Sequence, residues 1–260
     1  MVGHADTTHE LIWRTRVIDL SSDTATRPTA AMRAFMAAAP VGDEQRREDP
    51  TVNRLQAMVA ELMGKEAALF LPSGTMCNAI AFCVHANRGE AVILDRTSHP
   101  YNDEAGGPAW LAQVMLRPVA GERGVFTADQ ARAEINPGST HAARTALVSI
   151  EQPTNMGGGR VWTLAELDAI RAVADEYGLA VHLDGARFLN ASVASGVPAA
   201  AMAARGETVW LDLSKGLGAP VGAVLAGSAA FIERARLLKH LFGGAMRQAG
   251  SVAGGGGWPT

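Results

Sequence analysis

The sequence predicts an α/β fold built on a mostly parallel central sheet. From about Glu66 onward, short apolar runs typical of buried strands alternate with stretches of helical periodicity. Strands and helices that alternate in this way form parallel sheets whose faces are covered by helices. The chain has 260 residues, of which 48% are hydrophobic and 19% charged, so it has enough apolar side chains for such a core.

Seven apolar runs are predicted as strands: Ala67–Leu71, Ala91–Asp95, Gln113–Val119, Ala146–Glu151, Ala180–Asp184, Val209–Leu213 and Ala223–Ala226. Two helices between them are clear from their patterns, Met76–Ala86 and Leu164–Tyr177. The second follows a capping box formed by Thr163 and Glu166, and it ends at Gly178, a residue type that favours the helix C-cap. Ligands of such sheets bind at the carboxyl ends of the strands, so the residues just after each strand are the candidates for a site.

The composition indicates which binding partners and which cellular compartment to expect. The net charge is -3, with acidic and basic residues interspersed, so neither nucleic acid nor an anionic membrane is predicted as a partner. No apolar run reaches the length of a membrane span. Residues 1–16 are charged and lack the apolar core of a signal peptide, so we expect an N-terminal tail and a cytoplasmic protein with free thiols at Cys77 and Cys83. No metal site is predicted.

Lys215 is the strongest candidate for a catalytic residue. It directly follows a predicted strand and precedes two glycines and a proline, so a rigid turn is expected to present its amine to a cleft. A lysine in such a place can be desolvated, lose its charge and act as a nucleophile. The other two lysines are predicted to be surface residues: Lys65 in a helix-to-strand connection and Lys239 on an amphipathic helix rich in arginine.

Asp184 is the last residue of another predicted strand and precedes a Gly-Ala turn. Taken alone, its carboxylate fits a structural turn as well as a functional role. Together with Lys215 it points to pyridoxal 5'-phosphate (PLP), because an acid is needed to keep the pyridine nitrogen of PLP protonated. The cationic ring is then the electron sink for a carbanion.

Two further segments give weaker indications. Ser73, Gly74 and Thr75 lie between a strand and an apolar helix, where free amides and the positive helix end suit a phosphate, although such residues often serve only as a cap. His99 follows the next strand and can stack on a cofactor ring or be an ordinary loop residue. The glycines at 157–159 and 216–218 lack the dinucleotide fingerprint, and a plain nucleotide-binding α/β module stays as an alternative.

Several segments, in this order, resemble the low-specificity L-threonine aldolases: Asp19–Thr24 with Arg27-Pro28, Glu48–Leu55, Ser73–Thr75, Glu104–Gly107, His182–Arg187, Leu213–Gly222 and Gly243–Gly250. So many colinear motifs, over roughly residues 17–250, are far more specific than any one of them. The resemblance implies a PLP-dependent, transferase-like large domain of fold type I, within the superfamily of aromatic amino acid β-eliminating lyases and threonine aldolases. It also implies active sites at the interface of a homodimer or homotetramer.

The resemblance further implies roles for the cofactor-binding residues. Lys215 would attach PLP covalently, Asp184 would pair with the pyridine nitrogen, and His99 would stack on the ring. Ser73–Thr75 would hold the phosphate, with Arg247 as a helper.

The same resemblance places Ser22 and Arg187 at the substrate carboxylate, with Arg187 also beside the cofactor. The implied reaction is retro-aldol cleavage of L-threonine, L-allo-threonine or a related β-hydroxy-α-amino acid to glycine and an aldehyde. Thr154 stands where the family usually has a histidine at the substrate β-hydroxyl, and Arg46 where it commonly has a tyrosine. Without that histidine we expect a water-assisted base, and PLP-dependent β-elimination on another amino acid is the nearest alternative outcome.

The C-terminal end also differs from the family pattern. The family has a small C-terminal domain that supplies another carboxylate-binding arginine, whereas this sequence ends at Thr260. We therefore expect a PLP-binding large domain at residues 17–250, a Gly-rich end at residues 251–260 that is unstructured from Gly254 onward, and a small domain that is largely absent. A catalytically impaired fragment is the alternative of another class.

Overall fold

The computed structural model describes residues 18–136 and 138–257. The tail predicted at residues 1–16 and the last three residues lie outside the described residues. The α-helices are α1 (Ala30–Ala38), α2 (Pro50–Met63), α3 (Gly74–His85), α4 (His99–Asn102), α5 (Ala128–Ala133), α6 (Leu164–Tyr177), α7 (Phe188–Ser195), α8 (Ala199–Ala203), α9 (Ala229–Leu241) and α10 (Gly250–Ala253). The strands are β1 (Ala67–Leu71), β2 (Ala91–Asp95), β3 (Met115–Val119), β4 (Thr145–Glu151), β5 (Ala180–Asp184), β6 (Thr208–Asp212) and β7 (Ala223–Gly227).

All seven predicted strands are present and form one sheet in the order β1-β7-β6-β5-β4-β2-β3. Only β7 runs against its neighbours within the described residues, antiparallel to both β1 and β6, so the prediction of a mostly parallel sheet is confirmed. β1, β2 and β5 have the predicted bounds, and β4, β6 and β7 differ by one residue at one or both ends. β3 begins two residues later than predicted, because a π-helical turn at Pro108–Ala112 ends on Gln113, whose φ is 55°.

Both faces of the sheet are covered. Along β1, Ala68 and Phe70 pack with α2 in one hydrophobic cluster, whereas Leu69 and Leu71 pack with α3 and α9 in the other. Successive side chains of a strand point to opposite faces, so a strand buried on both sides is apolar at every position. This explains why the strands appear in the sequence as continuous apolar runs.

Local capping sets the helix boundaries. α3 begins two residues earlier than predicted, because Ser73 has an extended backbone and its Oγ accepts a hydrogen bond from Met76 N at 3.2 Å. α6 has the predicted bounds, with the predicted capping box at its start and a left-handed Gly178 (φ 65°) at its end. No helix among the described residues is long and apolar enough to cross a membrane.

The prediction of an unstructured end is wrong for residues 254–257, whose amides donate hydrogen bonds to carbonyls of α10. α10 packs on α1 and α2, and Gly250 N donates a hydrogen bond of 2.8 Å to Asp49 Oδ2. A Cβ added at Gly250 would lie 2.5 Å from Asp49 Oδ1, and one at Gly254 would lie 3.3 Å from Met36 Cα. Here the missing side chains permit close packing between segments instead of conferring flexibility.

Candidate active site

The carboxyl ends of β1, β4, β5 and β6 meet at a cleft of about 500 Å³. Eight predicted site residues line it: Ser22, Ser73, Gly74, Thr75, His99, Asp184, Arg187 and Lys215. Ser22 precedes β1, and the other seven lie at or after the carboxyl ends of β1, β2, β5 and β6. The structure thus brings these residues together, while their chemical roles stay predictions.

Lys215 lies on a tight turn just after β6. The last residue of that strand, Asp212, accepts hydrogen bonds at Oδ1 from Ser214 N (2.7 Å) and Ser214 Oγ (2.8 Å). The other oxygen of Asp212 is 3.3 Å from Lys215 Nζ, which also lies 5.8 Å from the centre of the Trp210 ring. The lysine side chain is 17% exposed, so its amine is held by the strand end and still reachable from the cleft.

Asp184 is a buried carboxylate at the end of β5. It accepts hydrogen bonds from Asn78 Nδ2 at 2.8 Å and from Ala186 N at 3.2 Å. Burial raises the pKa of Asp184 to about 6, against the opposing effect of the Asn78 hydrogen bond. Glu151 is its partner in register at the end of β4, and burial together with the charge of Asp184 raises the pKa of Glu151 to about 7. A cation placed in the cleft beside Asp184 would therefore stabilise its ionised form.

His99 is oriented by a buried acid. Its Nδ1 lies 2.9 Å from Glu104 Oε1, and this hydrogen bond raises the pKa of His99. The His99 side chain is about one-third exposed, whereas that of Glu104 is buried. His99 N also donates to Glu151 Oε1 at 3.2 Å. The imidazole is thus fixed at the cleft by partners behind it.

The start of α3 has the properties of a phosphate site. The first-turn amides of a helix have no partner within the helix, and they lie at its positive end. A Cβ added at Gly74 would lie 2.2 Å from Trp210 Cη2, so at this position only glycine lets the helix start lie against the indole. Ser73, Gly74 and Thr75 all line the cleft at this point.

Arg187 already holds a carboxylate of its own chain. Its Nε and Nη2 bind Asp23 Oδ2 and Oδ1 at 2.6 and 2.8 Å, in the bidentate geometry that arginine favours. Its Nη1 donates to Asn155 Oδ1 at 3.1 Å. Ser22 caps the short 3₁₀ turn that carries Asp23, through a 3.2 Å hydrogen bond from Thr24 N.

Three residues singled out from the sequence do not line the cleft. Thr154 is buried and turned toward glycines of neighbouring loops: a Cβ at Gly157 would lie 2.3 Å from its Oγ1. The side chain of Arg247 is 63% exposed and binds Asp43 Oδ2 at 2.9 Å. Arg46 is 74% exposed. The end of β4 and the loop after it instead bring Glu151 and Asn155 to the cleft.

Comparisons with known proteins assign the family. A sequence model of the family described as "Beta-eliminating lyase" matches residues 19–257. The chain is 44% identical over 241 residues to the low specificity L-threonine aldolase of Escherichia coli (strain K12), covering 92% of this chain and 72% of that protein. The chain belongs to the low-specificity L-threonine aldolase family, within the beta-eliminating lyases. Identity to the probable low-specificity L-threonine aldolase 2 of Arabidopsis thaliana is also 44%, over 239 residues that cover 90% of this chain and 67% of that protein.

The fold of this threonine aldolase family member matches solved structures. A putative L-allo-threonine aldolase from Listeria monocytogenes EGD-E aligns with a TM-score of 0.77 at 24% identity, covering 88% of this chain and 63% of that chain. At this identity the likeness shows the fold alone, which is the predicted fold of type I PLP enzymes. The chain thus spans about two thirds of the length of the relatives it matches.

Sequence reasoning missed several cleft residues of this family member. Glu151 and Asp212 are the last residues of β4 and β6, the same position that Asp184 has on β5. The rule that ligands bind at strand ends could therefore have found both. Asn155 and Trp210 carried no such signal, because their positions at the cleft depend on contacts between distant segments.

Lys239 corrects another prediction. It is 1% exposed and forms an ion pair with the buried Glu44, so it is not a surface residue. Lys65 is half-buried, and its Nζ donates to Gly206 O at 2.6 Å. Of the three lysines, Lys215 alone lines the cleft.

Proposed function

We propose that this protein binds PLP at Lys215 and cleaves L-threonine, L-allo-threonine or a related β-hydroxy-α-amino acid to glycine and an aldehyde. The observation that carries the proposal is the meeting of Lys215 and Asp184 in one cleft, in a chain 44% identical to a low specificity L-threonine aldolase. Separate strands supply the two residues, and that is the pairing the chemistry of PLP requires.

The described residues of the cleft fit PLP. Asp184 is a buried carboxylate whose raised pKa makes a cationic partner favourable, and the start of α3 offers amides to a phosphate. When bound, PLP supplies a protonated ring that accepts the electron pair of the bond broken at the substrate α-carbon. Asp184 keeps the ring nitrogen protonated, and His99, held by Glu104, limits where the ring can lie.

Other residues orient the substrate and move its proton. Arg187 and Ser22 hold the substrate carboxylate, so that the bond to be broken is fixed in direction. Asp23 and Asn155 occupy three of the five N–H donors of Arg187, which leaves one hydrogen on Nη1 and one on Nη2 for an incoming carboxylate. The proton of the β-hydroxyl passes to a water molecule, with Glu151 as acceptor, because a pKa near 7 suits proton transfer at neutral pH.

Purified chain tests the proposal in two steps. PLP is titrated into the protein and visible absorbance is followed, and the holoprotein is then incubated with L-threonine. Glycine and acetaldehyde in equal amounts support retro-aldol cleavage. Ammonia with a 2-oxo acid would assign β-elimination instead, and PLP binding without turnover would assign an impaired fragment. Absence of any visible absorbance would contradict PLP binding.

Assembly and location are further parts of the proposal. A homodimer or homotetramer is expected, and large exposed apolar side chains such as Trp110 (82%) and Leu241 (74%) are candidates for its interface. Sedimentation of the holoprotein measures this assembly, and cell fractionation tests the cytoplasmic location.

A further inference from the structure

A single buried amide lies behind the cleft and joins several of its groups. Asn78, on α3, is 1% exposed. Its Nδ2 donates to Asp184 Oδ2 at 2.8 Å and to Glu104 Oε1 at 2.7 Å. Its Oδ1 accepts from Trp210 Nε1 at 2.8 Å and pairs with His182 Nε2 at 3.1 Å. All four hydrogen bonds that an asparagine side chain can form are therefore made.

The partners determine the orientation of this amide. An indole nitrogen can only donate, so the oxygen of Asn78 must face Trp210 and its NH₂ group must face the carboxylates. His182 then donates through Nε2 and accepts through Nδ1 from Thr208 Oγ1, 2.8 Å away. A neutral imidazole is required for this, and burial does lower the pKa of His182 to about 3.

Asn78 thereby connects the two groups proposed to contact the cofactor ring: Asp184 directly, and His99 through Glu104. One hydrogen of its NH₂ group goes to Asp184, proposed to face the ring nitrogen. The other goes to Glu104, whose same oxygen holds His99 Nδ1. Within the described ranges the second oxygen of Glu104 has no hydrogen-bond partner. Among the described residues, Asn78 is thus the one recorded side-chain hydrogen-bond donor to Asp184, and Glu104 shares this donor with His99.

We propose that Asn78 is a positioning residue of this enzyme: its amide keeps Asp184 ionised and directed into the cleft, and keeps Glu104 in place behind His99. This inference rests on the proposed function, since Asp184 matters in this way only if it faces the cofactor. A donor to the charged form of an acid favours that form. Loss of the amide removes the largest of the interactions that oppose desolvation, leaving Ala186 N and Lys215, and Asp184 then takes up a proton at higher pH.

The other groups facing Asp184 act on its charge as well. Those recorded around it are Cys77, His99, Glu104, Glu151, Arg187 and Lys215. The Asn78 substitutions change the identity of none of these six residues, and Asn78→Ala adds no charge. A change of pH dependence in Asn78→Ala therefore reports the loss of the amide, acting on Asp184 directly or through Glu104.

Two substitutions test the proposal. Asn78→Ala removes all four hydrogen bonds, and Asn78→Asp keeps the shape but replaces the donor with a third carboxylate or its acid. Asn87→Ala is the matched control, because this exposed asparagine follows the same helix and its amide bonds only Glu90 among the described residues. Each holoprotein is measured for PLP affinity by absorbance titration, for thermal unfolding, and for kcat and KM of glycine release across pH.

We expect both Asn78 variants to lower kcat about 100-fold with KM changed less than about threefold, as for misplacement of a group at the reacting centre. The acidic limb of the kcat profile moves to higher pH, and PLP affinity falls at least about tenfold, whereas Asn87→Ala matches the wild type. Such a shift of the limb would not follow from a purely structural defect.

Wild-type affinity, absorbance and pH profile in a folded Asn78→Asp or Asn78→Ala protein would overturn the proposal. Failure of both variants to fold would also overturn it, because Asn78 would then serve the core. A wild-type chain that binds PLP but releases no glycine contradicts the proposed reaction alone, since PLP affinity and absorbance still decide the role of Asn78. A wild-type chain that binds no PLP contradicts both.

Discussion

Lys215 and Lys239 are both paired with a carboxylate, but they lie in regions of different character. Lys215 Nζ is 3.3 Å from Asp212 and 17% of the side chain is exposed at the cleft. The Lys239 side chain is buried and pairs with Glu44, which also accepts a hydrogen bond from Met246 N at 3.1 Å. The first lysine can meet a ligand, whereas the second is enclosed by its own chain.

The difference shows that burial of a lysine does not by itself mark a catalytic residue. The Lys239–Glu44 pair joins α9 to the loop before α2, and burial lowers the pKa of Lys239 while Glu44 opposes that shift. An enclosed pair of this kind influences the stability of the fold. Access to a cleft beside a second functional group, as for Lys215 and Asp184, is what distinguishes a candidate for chemistry.

The largest effect is expected for Lys215→Ala. The nucleophile for the cofactor is removed, so threonine cleavage should fall by about 1,000-fold or more. The unfolding free energy should change less than for Lys239→Met, because Asp212 keeps both hydrogen bonds from Ser214 and borders the cleft. Borohydride reduction and peptide mapping of the wild-type holoprotein should find the label on Lys215. A label on Lys65 or Lys239 would contradict the assignment.

Lys239→Met should show the opposite pattern. It leaves the buried Glu44 without its cation, which costs about 3–5 kcal/mol of unfolding free energy, measurable by urea denaturation. The double variant with Glu44→Gln should recover part of that loss, because the uncompensated charge is then absent. PLP affinity of the folded fraction should match the wild type. If Lys239→Met lost PLP binding without losing stability, Lys239 would have a functional role and not a structural one.

Asp184→Asn tests the effect of this carboxylate on the pH dependence of stability. The Asp184 carboxylate binds a proton more tightly in the folded chain without PLP than in the unfolded chain, because folding raises the pKa of Asp184 to about 6. Asp184 therefore contributes about 2–3 kcal/mol to the unfolding free energy below about pH 4, and this contribution is lost as pH rises through about 6. The asparagine variant should lose that part of the pH dependence, measured by urea denaturation of the cofactor-free protein at pH 4 and pH 8.

The same variant should retain some PLP but lose threonine cleavage by about 100-fold or more, since an amide cannot keep the ring nitrogen protonated. Turnover near that of the wild type would make Asp184 a structural turn residue.

Arg247→Ala is expected to have the smallest effect on stability. Its partner Asp43 is the sequence neighbour of Glu44, but the arginine side chain is 63% exposed and solvent screens the pair. The urea midpoint should therefore stay within measurement error of the wild type, in contrast to Lys239→Met. A clear loss of stability in Arg247→Ala would show that side-chain exposure does not explain why the Lys239–Glu44 pair matters more for stability than the Arg247–Asp43 pair.

Most elements could be predicted because their signals are local. The apolar runs of β1, β2 and β5 and the caps of α6 depend on residues within a few positions of one another. β3 was predicted two residues too long, because nothing in the run Gln113–Val119 reveals the left-handed backbone of Gln113. The Gly-rich end was predicted as unstructured, because close packing against α1 and α2 leaves no local pattern.

By itself the sequence determined the fold class, the family and the central cleft residues Lys215 and Asp184, since these follow from periodicity and from short motifs in a fixed order. Only the tertiary structure decided that Lys239 is enclosed, that Thr154 is turned away from the cleft, and that Asn78 bridges Asp184 and Glu104. Each of these facts depends on a neighbour far away along the chain, as Glu44 is for Lys239. Side-chain burial and hydrogen-bond partners arise when distant segments pack, and no local pattern encodes that contact.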